Sequence, residues 1–409
     1  MSRGVSCGVA ALSACGVLAL VSPPRGARGQ VRELNIVPIV GGDSDIGLGG
    51  GVVGDWAALR PGDPPYRWRL EVSSFVTFKV RTGDRLVLPY DDEWLELVVP
   101  RAGPGGHLSV DARLAFTDEE TLKYTGIGNA SPPLAPGLPI EDSEYARLHP
   151  TASLEVRTWL SDHVFVLAGT AFTYNRLAVG AGTVLAKDRA TGPPEVRALL
   201  GGLAPHGVEL LTVEAQYDSR DDEIVTRRGQ FHTLRFRASP RVGSALPYQY
   251  ERLTLAGRVY QTSLSGRLTL AARLVGDLLL GDAPFYEMAR FDETTAIGGG
   301  KAVRGVPAQR YYGKVKVISN IEVSTPICSF TLRAKALVLG LAAFLDGGRT
   351  WTELGRAHPE LDGTGLGLKY GVGGGLRLQE GRTFLLRLDL AWSPDARPIG
   401  AYFAAGQIF

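Results

Sequence analysis

Strict alternation over long segments is the feature that most constrains what this chain can fold into. Between Phe384 and Trp392 every even position is apolar, whereas Arg387 and Asp389 stand at odd positions. A repeat of two residues places one set of side chains on each face of a β-strand. Similar alternation recurs at 232–239, 252–260 and 314–324. The longer segments reach the length of about 9–11 residues that a strand needs to cross a membrane, and globular strands are shorter on average.

The chain carries sixteen candidate strands of this kind, and an even number is typical of single-chain bacterial barrels. Their predicted starts lie near Leu34, Ile46, Tyr66, Trp94, His107, Tyr145, His163, Gly207, Gln230, Tyr250, Arg267, Arg310, Thr331, Leu368, Phe384 and Ala401. The stretches 126–143, 180–194, 282–309 and 353–367 are then predicted loops, and no helix is predicted apart from short turns near 194–203. The predicted fold class is all-β: a transmembrane antiparallel β-barrel of about sixteen strands.

The N-terminal residues 1–29 have the composition of a signal peptide. Arg3 supplies a positive charge, an apolar run follows, and the small-residue site Ala27-Arg28-Gly29 precedes Gln30. The sequence therefore predicts a cleaved signal peptide at 1–29, a barrel at 30–409 and the bacterial outer membrane as destination. Processing as a lipoprotein at Cys15 is the alternative, although the apolar run continues past that cysteine, where it should stop.

Several other classes of protein lack support in the sequence. The longest apolar stretch of the predicted mature chain, Ala336 to Leu345, is half the length of about 20 residues that a membrane-spanning helix needs. Cys328 would be its single cysteine, so we expect no disulfide and no metal site. A net charge of +2 without a basic stripe argues against nucleic-acid binding. There is no nucleophile elbow or other catalytic constellation, so neither an enzyme nor a cofactor is expected.

Three motifs near the predicted strands eleven to thirteen carry a family resemblance. The segment Gly298–Val306, which contains Val303-Arg304-Gly305, stands between strands eleven and twelve. Asn320-Ile321-Glu322 follows on strand twelve, and Phe344-Leu345-Asp346-Gly347-Gly348 on strand thirteen. Together these motifs resemble those of the BamA/TamA family of outer-membrane proteins, also called bacterial surface antigens. Val306 departs from the aromatic residue that the family usually has there.

The resemblance implies that the loop between strands eleven and twelve folds back into the barrel. Its arginine, Arg304, is then expected to pair with Glu322 and Asp346 inside the barrel. The planar fork of a guanidinium group suits this role because it can bridge two carboxylates. Glu322 shares the polar phase of its strand with Asn320, and the positions in phase with Asp346 carry small residues that leave room for a loop.

The resemblance covers the barrel but not the POTRA repeats of the family. It implies insertion into the membrane by the barrel-insertion machinery, which reads the terminal Phe409. The predicted function is outer-membrane protein insertion or export, with client outer-membrane proteins or a separate periplasmic partner. Outer-membrane lipid and lipopolysaccharide are the other expected partners. The alternative is a passive or plugged pore, or a structural surface barrel without assembly activity.

Overall fold

The computed structural model describes residues 14–15, 31–59, 66–81, 85–133, 138–263, 265–291, 294–295, 297–332, 335–381, 384–395 and 399–405. Sixteen long strands make up most of this part of the chain. They are β1 (Val31–Asp43), β2 (Gly47–Leu59), β3 (Trp68–Arg81), β4 (Tyr90–Ala102), β5 (Leu108–Lys123), β6 (Glu144–Leu148, continued by Thr151–Trp159), β7 (Val164–Val179), β8 (His206–Asp218), β9 (Gly229–Ser239), β10 (Gln249–Thr262), β11 (Thr269–Asp282), β12 (Val315–Leu332), β13 (Lys335–Trp351), β14 (Lys369–Glu380), β15 (Phe384–Trp392) and β16 (Gly400–Ala405).

Each strand pairs antiparallel with the next one along the chain, and β16 pairs back onto β1. The sheet is therefore a closed antiparallel barrel of sixteen strands, which confirms the predicted fold class. Closure joins the first strand to the last, the condition under which strands can cross lipid. Among the described residues, no helix is long and apolar enough to span a membrane.

The burial of β10 shows how alternation builds the wall. Its odd positions from Gln249 to Gln261 are exposed, apart from the half-buried Gly257, and Leu253, Leu255 and Val259 supply an apolar outer surface. Even positions such as Arg252 and Thr254 are buried. An apolar outer band around a polar interior is the arrangement of membrane barrels.

The two ends of the barrel differ in their connections. At one end β5–β6, β7–β8, β11–β12 and β13–β14 are joined by long loops, at 124–143, 180–205, 283–314 and 352–368. At the other end several connections are tight, as at 103–107 and 160–163. Outer-membrane barrels carry longer loops outside and shorter turns on the periplasmic side. We therefore take the long-loop end to face outward and the short-turn end to face the periplasm.

The long loops share an apolar core at their own end of the barrel. Tyr124, Tyr145, Phe285 and Tyr312 are fully or almost fully buried there, and the rings of Phe285 and Tyr312 stack at 5.9 Å between centroids. Leu185 joins this core from the first of three short helices. The helices are α1 (Val184–Thr191), α2 (Pro194–Leu199) and α3 (Pro359–Asp362). The loops thus cover the outer mouth of the barrel with packed side chains.

The observed elements depart from the predicted ones at several boundaries. β12 starts at Val315 instead of near Arg310, and β13 at Lys335 instead of near Thr331, which belongs to β12. Helix α1 was not predicted: the Thr183 side chain accepts a bond from the Ala186 N–H and so caps it. Tertiary pairing and local capping, which alternation does not report, decide these boundaries.

Parts of the predicted processing and insertion signals lie outside the described residues. These are most of residues 1–29 and the terminal Phe409. Within the predicted signal peptide, Ala14–Cys15 is described as a two-residue strand that pairs with Val40 and Ile39 of β1.

Replacement of the outward Leu255 by arginine should destabilise the barrel in a bilayer. Leu255 is 58% exposed and lies near the middle of β10, where the band meets the centre of the membrane. Leu255→Arg is expected to lower the free energy of unfolding by about 2–4 kcal/mol, whereas Gln261→Arg near the end of the same strand should cost about 0–1 kcal/mol. Equilibrium denaturation in lipid vesicles measures the free energy of unfolding of both variants. Equal losses in the two would contradict the placement of the apolar outer band at the centre of the membrane.

Candidate functional site

The loop between β11 and β12 (residues 283–314, called the β11–β12 loop) forms a compact turn at residues 299–306. The Gly299 N–H donates to the Val306 carbonyl at 2.8 Å, and the Val306 N–H donates to the Val303 carbonyl at 3.2 Å. Gly305 adopts a φ of 91°, which side-chain-bearing residues rarely reach. These bonds shape residues 299–306 into a tip that holds Arg304 at its centre.

Arg304 is fully buried and meets Asp346 of β13 through a bidentate pair. Its Nε donates to Asp346 Oδ2 at 2.7 Å and its Nη2 donates to Oδ1 at 3.0 Å. The backbone N–H of Arg304 also donates to Oδ2, at 3.0 Å. Charge-assisted, two-point bonds of this kind are the strong class of protein hydrogen bonds.

The second terminal nitrogen of Arg304 reaches two further strands. Nη1 donates to Glu322 Oε2 of β12 at 2.8 Å and to Asp389 Oδ2 of β15 at 3.1 Å. Burial by itself would lower the pKa of the Arg304 guanidinium, but the surrounding carboxylates, Asp346 first, raise that pKa above its ordinary value. The arginine therefore remains charged. The structure brings the three residues predicted from the sequence together and adds Asp389.

Two more arginines balance these acids. Arg377 of β14 donates to Asp389 Oδ1 at 2.6 Å and to Glu322 Oε1 at 2.8 Å. Arg387 of β15 lies 3.4 Å from Asp389 Oδ2 through its Nε. The resulting ion cluster contains three guanidinium groups and three carboxylates: Arg304, Arg377, Arg387, Glu322, Asp346 and Asp389. Every charge in it has an opposite charge within 4 Å, which offsets the cost of burial.

Sequence reasoning missed Asp389, Arg377 and Arg387. A signal for two of them existed, because Arg387 and Asp389 stand on the charged phase of β15. That phase predicts an inward direction but not a partner. The partner is decided by the barrel, which brings β12, β13, β14 and β15 side by side around the loop tip.

Glycines and one aromatic ring shape the wall that receives the loop tip. A Cβ atom on Gly371 of β14 would lie 1.8 Å from the Arg304 carbonyl oxygen, so only glycine fits there. A Cβ atom on Gly348 would lie 2.7 Å from the Ile297 side chain of the loop. The Arg304 guanidinium carbon stands 3.3 Å above the centre of the Phe344 ring, a cation–π contact. Phe344 and Gly348, the two strand-motif residues predicted from the sequence, therefore both lie against the β11–β12 loop.

The two valines of the loop motif are also fully buried. Val303 and Val306 belong to an apolar cluster with Ile297, Tyr311 of the loop and Ile318 of β12. Val306 thus packs as an apolar anchor although it lacks the aromatic ring that is usual in the related family. The loop tip is held by apolar packing on both sides of its buried charge.

The β11–β12 loop also contacts both sides of the junction between β1 and β16, called the seam. The Gly305 N–H donates to the Tyr402 hydroxyl of β16 at 2.8 Å. The Ala308 N–H donates to Asp45 Oδ2, in the turn between β1 and β2, at 3.0 Å. Asp45 is held in turn by Lys123 at 2.6 Å. The same loop therefore bridges the first and the last strands of the barrel.

A cavity lies on the periplasmic side of the ion cluster. Its volume is about 100 Å³, and Glu322 and Arg377 of the cluster line it together with Thr226, Ser324 and Gly340. The ion cluster thus stands between this cavity and the loops that cover the outer mouth. Within the described ranges, no group of three or more His, Cys, Asp or Glu side chains is arranged to hold a metal ion.

Comparison with known proteins identifies the family of the part of the chain that carries the site. Residues 208–409, which include most of β8, all described residues of β9–β16 and the β11–β12 loop, match the Omp85 superfamily domain. This region belongs to the Omp85 superfamily. The match confirms the family resemblance drawn from the motifs around Arg304 and Asp346, and an Omp85 β-barrel implies a bacterial outer membrane. No curated protein matches the chain in sequence.

Two solved structures share the fold of the Omp85 barrel. BamA from Haemophilus ducreyi lacking POTRA domains 1–3 is 13% identical with a TM-score of 0.63, and the match covers 92% of this chain and 70% of that one. CdiB from Escherichia coli is 12% identical with a TM-score of 0.55, and the match covers 93% of this chain and 64% of that one. Identities this low show the fold alone. Since the chain spans less than two thirds of CdiB, activity, substrates and partners are matters of proposal.

Removal of the Asp346 carboxylate should release the loop tip. Asp346→Ala leaves Arg304 buried without its bidentate partner, and breaking a buried ion pair in this way costs about 3–5 kcal/mol. The matched control is Arg241→Ala, which removes an ion pair between Arg241 and Asp282. Both of these side chains are more than half exposed, so the free energy of unfolding should change by only about 0–1 kcal/mol. Limited proteolysis within 282–309 should speed up in the first variant only; equal protection in both would contradict the anchoring role of Arg304.

Proposed function

We propose that this Omp85 barrel inserts or exports proteins at the outer membrane through a seam between β1 and β16 that can open. The proposal also takes residues 1–29 as a cleaved export signal and Phe409 as the signal that the insertion machinery reads. Client outer-membrane proteins or a separate periplasmic protein are its proposed partners, beside the lipid and lipopolysaccharide around the wall. The shortness of the seam carries the proposal.

Among the described residues the seam is far shorter than the neighbouring strand pairings. Within the described part of the chain, two residue pairs join β1 to β16: Gly42 with Phe403 and Asp43 with Tyr402. On its other edge β1 forms thirteen pairs with β2. Because the number of backbone hydrogen bonds grows with the length of a ladder, this two-pair junction is, among the described strand pairings, the one that can separate at least cost.

The β1 edge next to the seam carries an added strand. Ala14–Cys15 pairs antiparallel with Val40 and Ile39, next to the two seam pairs. An extended segment therefore adds to this edge through backbone bonds, the mode in which peptides join an exposed sheet edge. This pairing supports a role for the edge in receiving strands of client proteins.

Contacts of the β11–β12 loop offset the weakness of the seam. Tyr402 on β16 and Asp45 beside β1 both bind backbone N–H groups of this loop. Tyr311 of the loop also donates to Asp395, in the connection between β15 and β16, at 2.8 Å. Opening of the seam would therefore have to break loop contacts as well as two ladder pairs, so the loop controls how often the wall separates.

The passive alternative would use the same barrel without opening. The apolar core of the outer loops, with Tyr124, Phe285 and Tyr312, favours a closed outer mouth and hence a plugged pore over an open one. A plugged pore and an assembly barrel differ in one respect that can be tested. A passive barrel should work equally well with its seam locked.

A disulfide across the seam provides that test. Once residues 1–29 and with them Ala14 are cleaved, the register of the two seam pairs places Val40 opposite Ala405. Val40→Cys with Ala405→Cys, in a Cys328→Ser background, should then form a disulfide that joins β1 to β16. We expect the locked barrel to deplete client proteins from the outer membrane, measured by quantitative proteomics, and reduction to restore them. The control is Val37→Cys with Ala405→Cys, which is out of register and should not form a disulfide. A locked barrel that leaves the outer-membrane proteome unchanged would contradict the proposal and favour the passive alternative.

Loss of the Tyr402 hydroxyl should loosen the closed seam. Tyr402→Phe leaves the buried Gly305 N–H without its acceptor, at a cost of about 1–3 kcal/mol. Amide hydrogen exchange at Gly42–Ser44 and at Ala401–Phe403 should then become about 5- to 150-fold faster. Tyr250→Phe is the matched control, because Tyr250 is equally buried and its hydroxyl has no hydrogen-bond partner among the described residues. Equal exchange rates in the two variants would sink the idea that the loop holds the seam.

A further inference from the structure

The hairpin of β12 and β13 is longer than its neighbours at the periplasmic end. β11 pairs with β12 as far as Thr269 opposite Ser324, where β11 begins. β12 continues for eight more residues, Thr325–Leu332, and in this stretch its only ladder among the described residues is the one with β13. At about 3.3 Å per residue, this stretch extends about 26 Å beyond the end of β11. We call it the β12 edge.

The β12 edge presents unpaired backbone groups on the side where β11 has ended. Successive N–H and C=O groups of a strand point to alternate sides, so about half of those in the edge lack a ladder partner. Unpaired groups of this kind are costly against lipid. In water they form a template onto which another strand can add.

Few of the features that usually protect such an edge are present here. The β12 edge contains no charged side chain. Pro326 and the bulge before Cys328 hinder the addition of a strand, but only at the end of the edge that is nearest to β11. Ile327 in the bulge is 54% exposed, and Phe330 and Leu332 below it are 42% and 57% exposed. A long, uncharged, apolar edge without charges or further prolines aggregates unless a partner covers it.

The surroundings of the edge indicate what kind of partner fits. Ser324, Thr325 and Pro326 line the cavity below the ion cluster, together with Gly266 of the turn that precedes β11. A strand that follows the line of β11 would continue the antiparallel ladder from Thr269 downward. It would approach from the periplasm, the side to which the hairpin projects.

A second copy of the barrel fits this edge poorly. Copies in one membrane share the same inside–outside direction, so two β12 edges could meet only in parallel, the slightly less stable arrangement. A soluble or unfolded polypeptide has no such restriction and can pair antiparallel. The continuity with the β11–β12 ladder therefore favours a periplasmic polypeptide.

We propose that the β12 edge, Thr325–Leu332, binds an extended segment of a periplasmic polypeptide by antiparallel strand addition. Backbone bonds would supply most of the affinity, and the apolar side chains of Ile327 and Phe330 would favour β-branched or aromatic residues in the partner. The proposal does not depend on opening of the seam, which lies at the β1–β16 junction and involves other strands.

Cys328, which lies in the edge and is exposed, allows a direct test with the full chain in lipid nanodiscs. The probe is a synthetic peptide of about ten residues with alternating threonine and valine, carrying one cysteine at successive positions. Oxidation with copper phenanthroline should crosslink the peptide to Cys328 with a yield that rises and falls every two residues, as strand pairing requires. A yield without this period, or a Cys328–Cys328 dimer of the barrel in preference to peptide capture, would overturn the proposal.

Proline substitutions supply a second measurement with a built-in control. Since neighbouring N–H groups point to opposite sides, one of Ser329→Pro and Phe330→Pro removes an N–H of the free side, and the other removes one that faces β13. The variant that loses an N–H of the free side should bind a fluorescent form of the peptide about tenfold more weakly, which corresponds to about 1.4 kcal/mol. The other variant should bind the peptide as well as Phe330→Ala does, a substitution that leaves the backbone N–H in place. Equal binding by the two proline variants, with folding verified by heat-modified gel mobility, would show that backbone pairing is not involved.

Discussion

A buried guanidinium group holds the β11–β12 loop in place, and much of the structure depends on it. Arg304 carries its charge into a region without exposure to solvent and therefore needs several carboxylates around it. These come from three strands, through Glu322, Asp346 and Asp389. Because β12, β13 and β15 lie near one another only when they are paired in the sheet, with β14 between the last two, the loop can settle only once this part of the wall has formed.

Closure of the barrel sets the second constraint. Strands can lie in lipid only when their backbone groups are paired, so the sheet has to be closed. In this barrel, however, the first and last strands meet over only two described residue pairs. Tyr402 and Asp45 connect both sides of that junction to the loop. The ion cluster and the seam are thus parts of one arrangement, in which a loop anchored on β12–β15 also bridges the chain ends.

A large share of the fold could be predicted from the sequence. The alternation of side chains predicts sixteen strands and the outward faces, and the loop motif predicts the meeting of Arg304 with Asp346. The residues that alternation does not reveal are those whose role depends on a neighbour across the barrel. Asp389 shows a polar phase like many other charges, and Tyr402 resembles an ordinary strand aromatic, so neither can be assigned a partner from the sequence.

The sequence by itself determined the class of fold, because a repeat of two residues is a local property of each strand and needs no knowledge of the partner. Only the tertiary structure decided where the wall is weak and which charges neutralise each other. Register and closure depend on all sixteen strands at once. The short pairing of β1 with β16, the extra length of β12 beyond Thr269 and the placement of Arg304 among three acids all follow from that collective geometry.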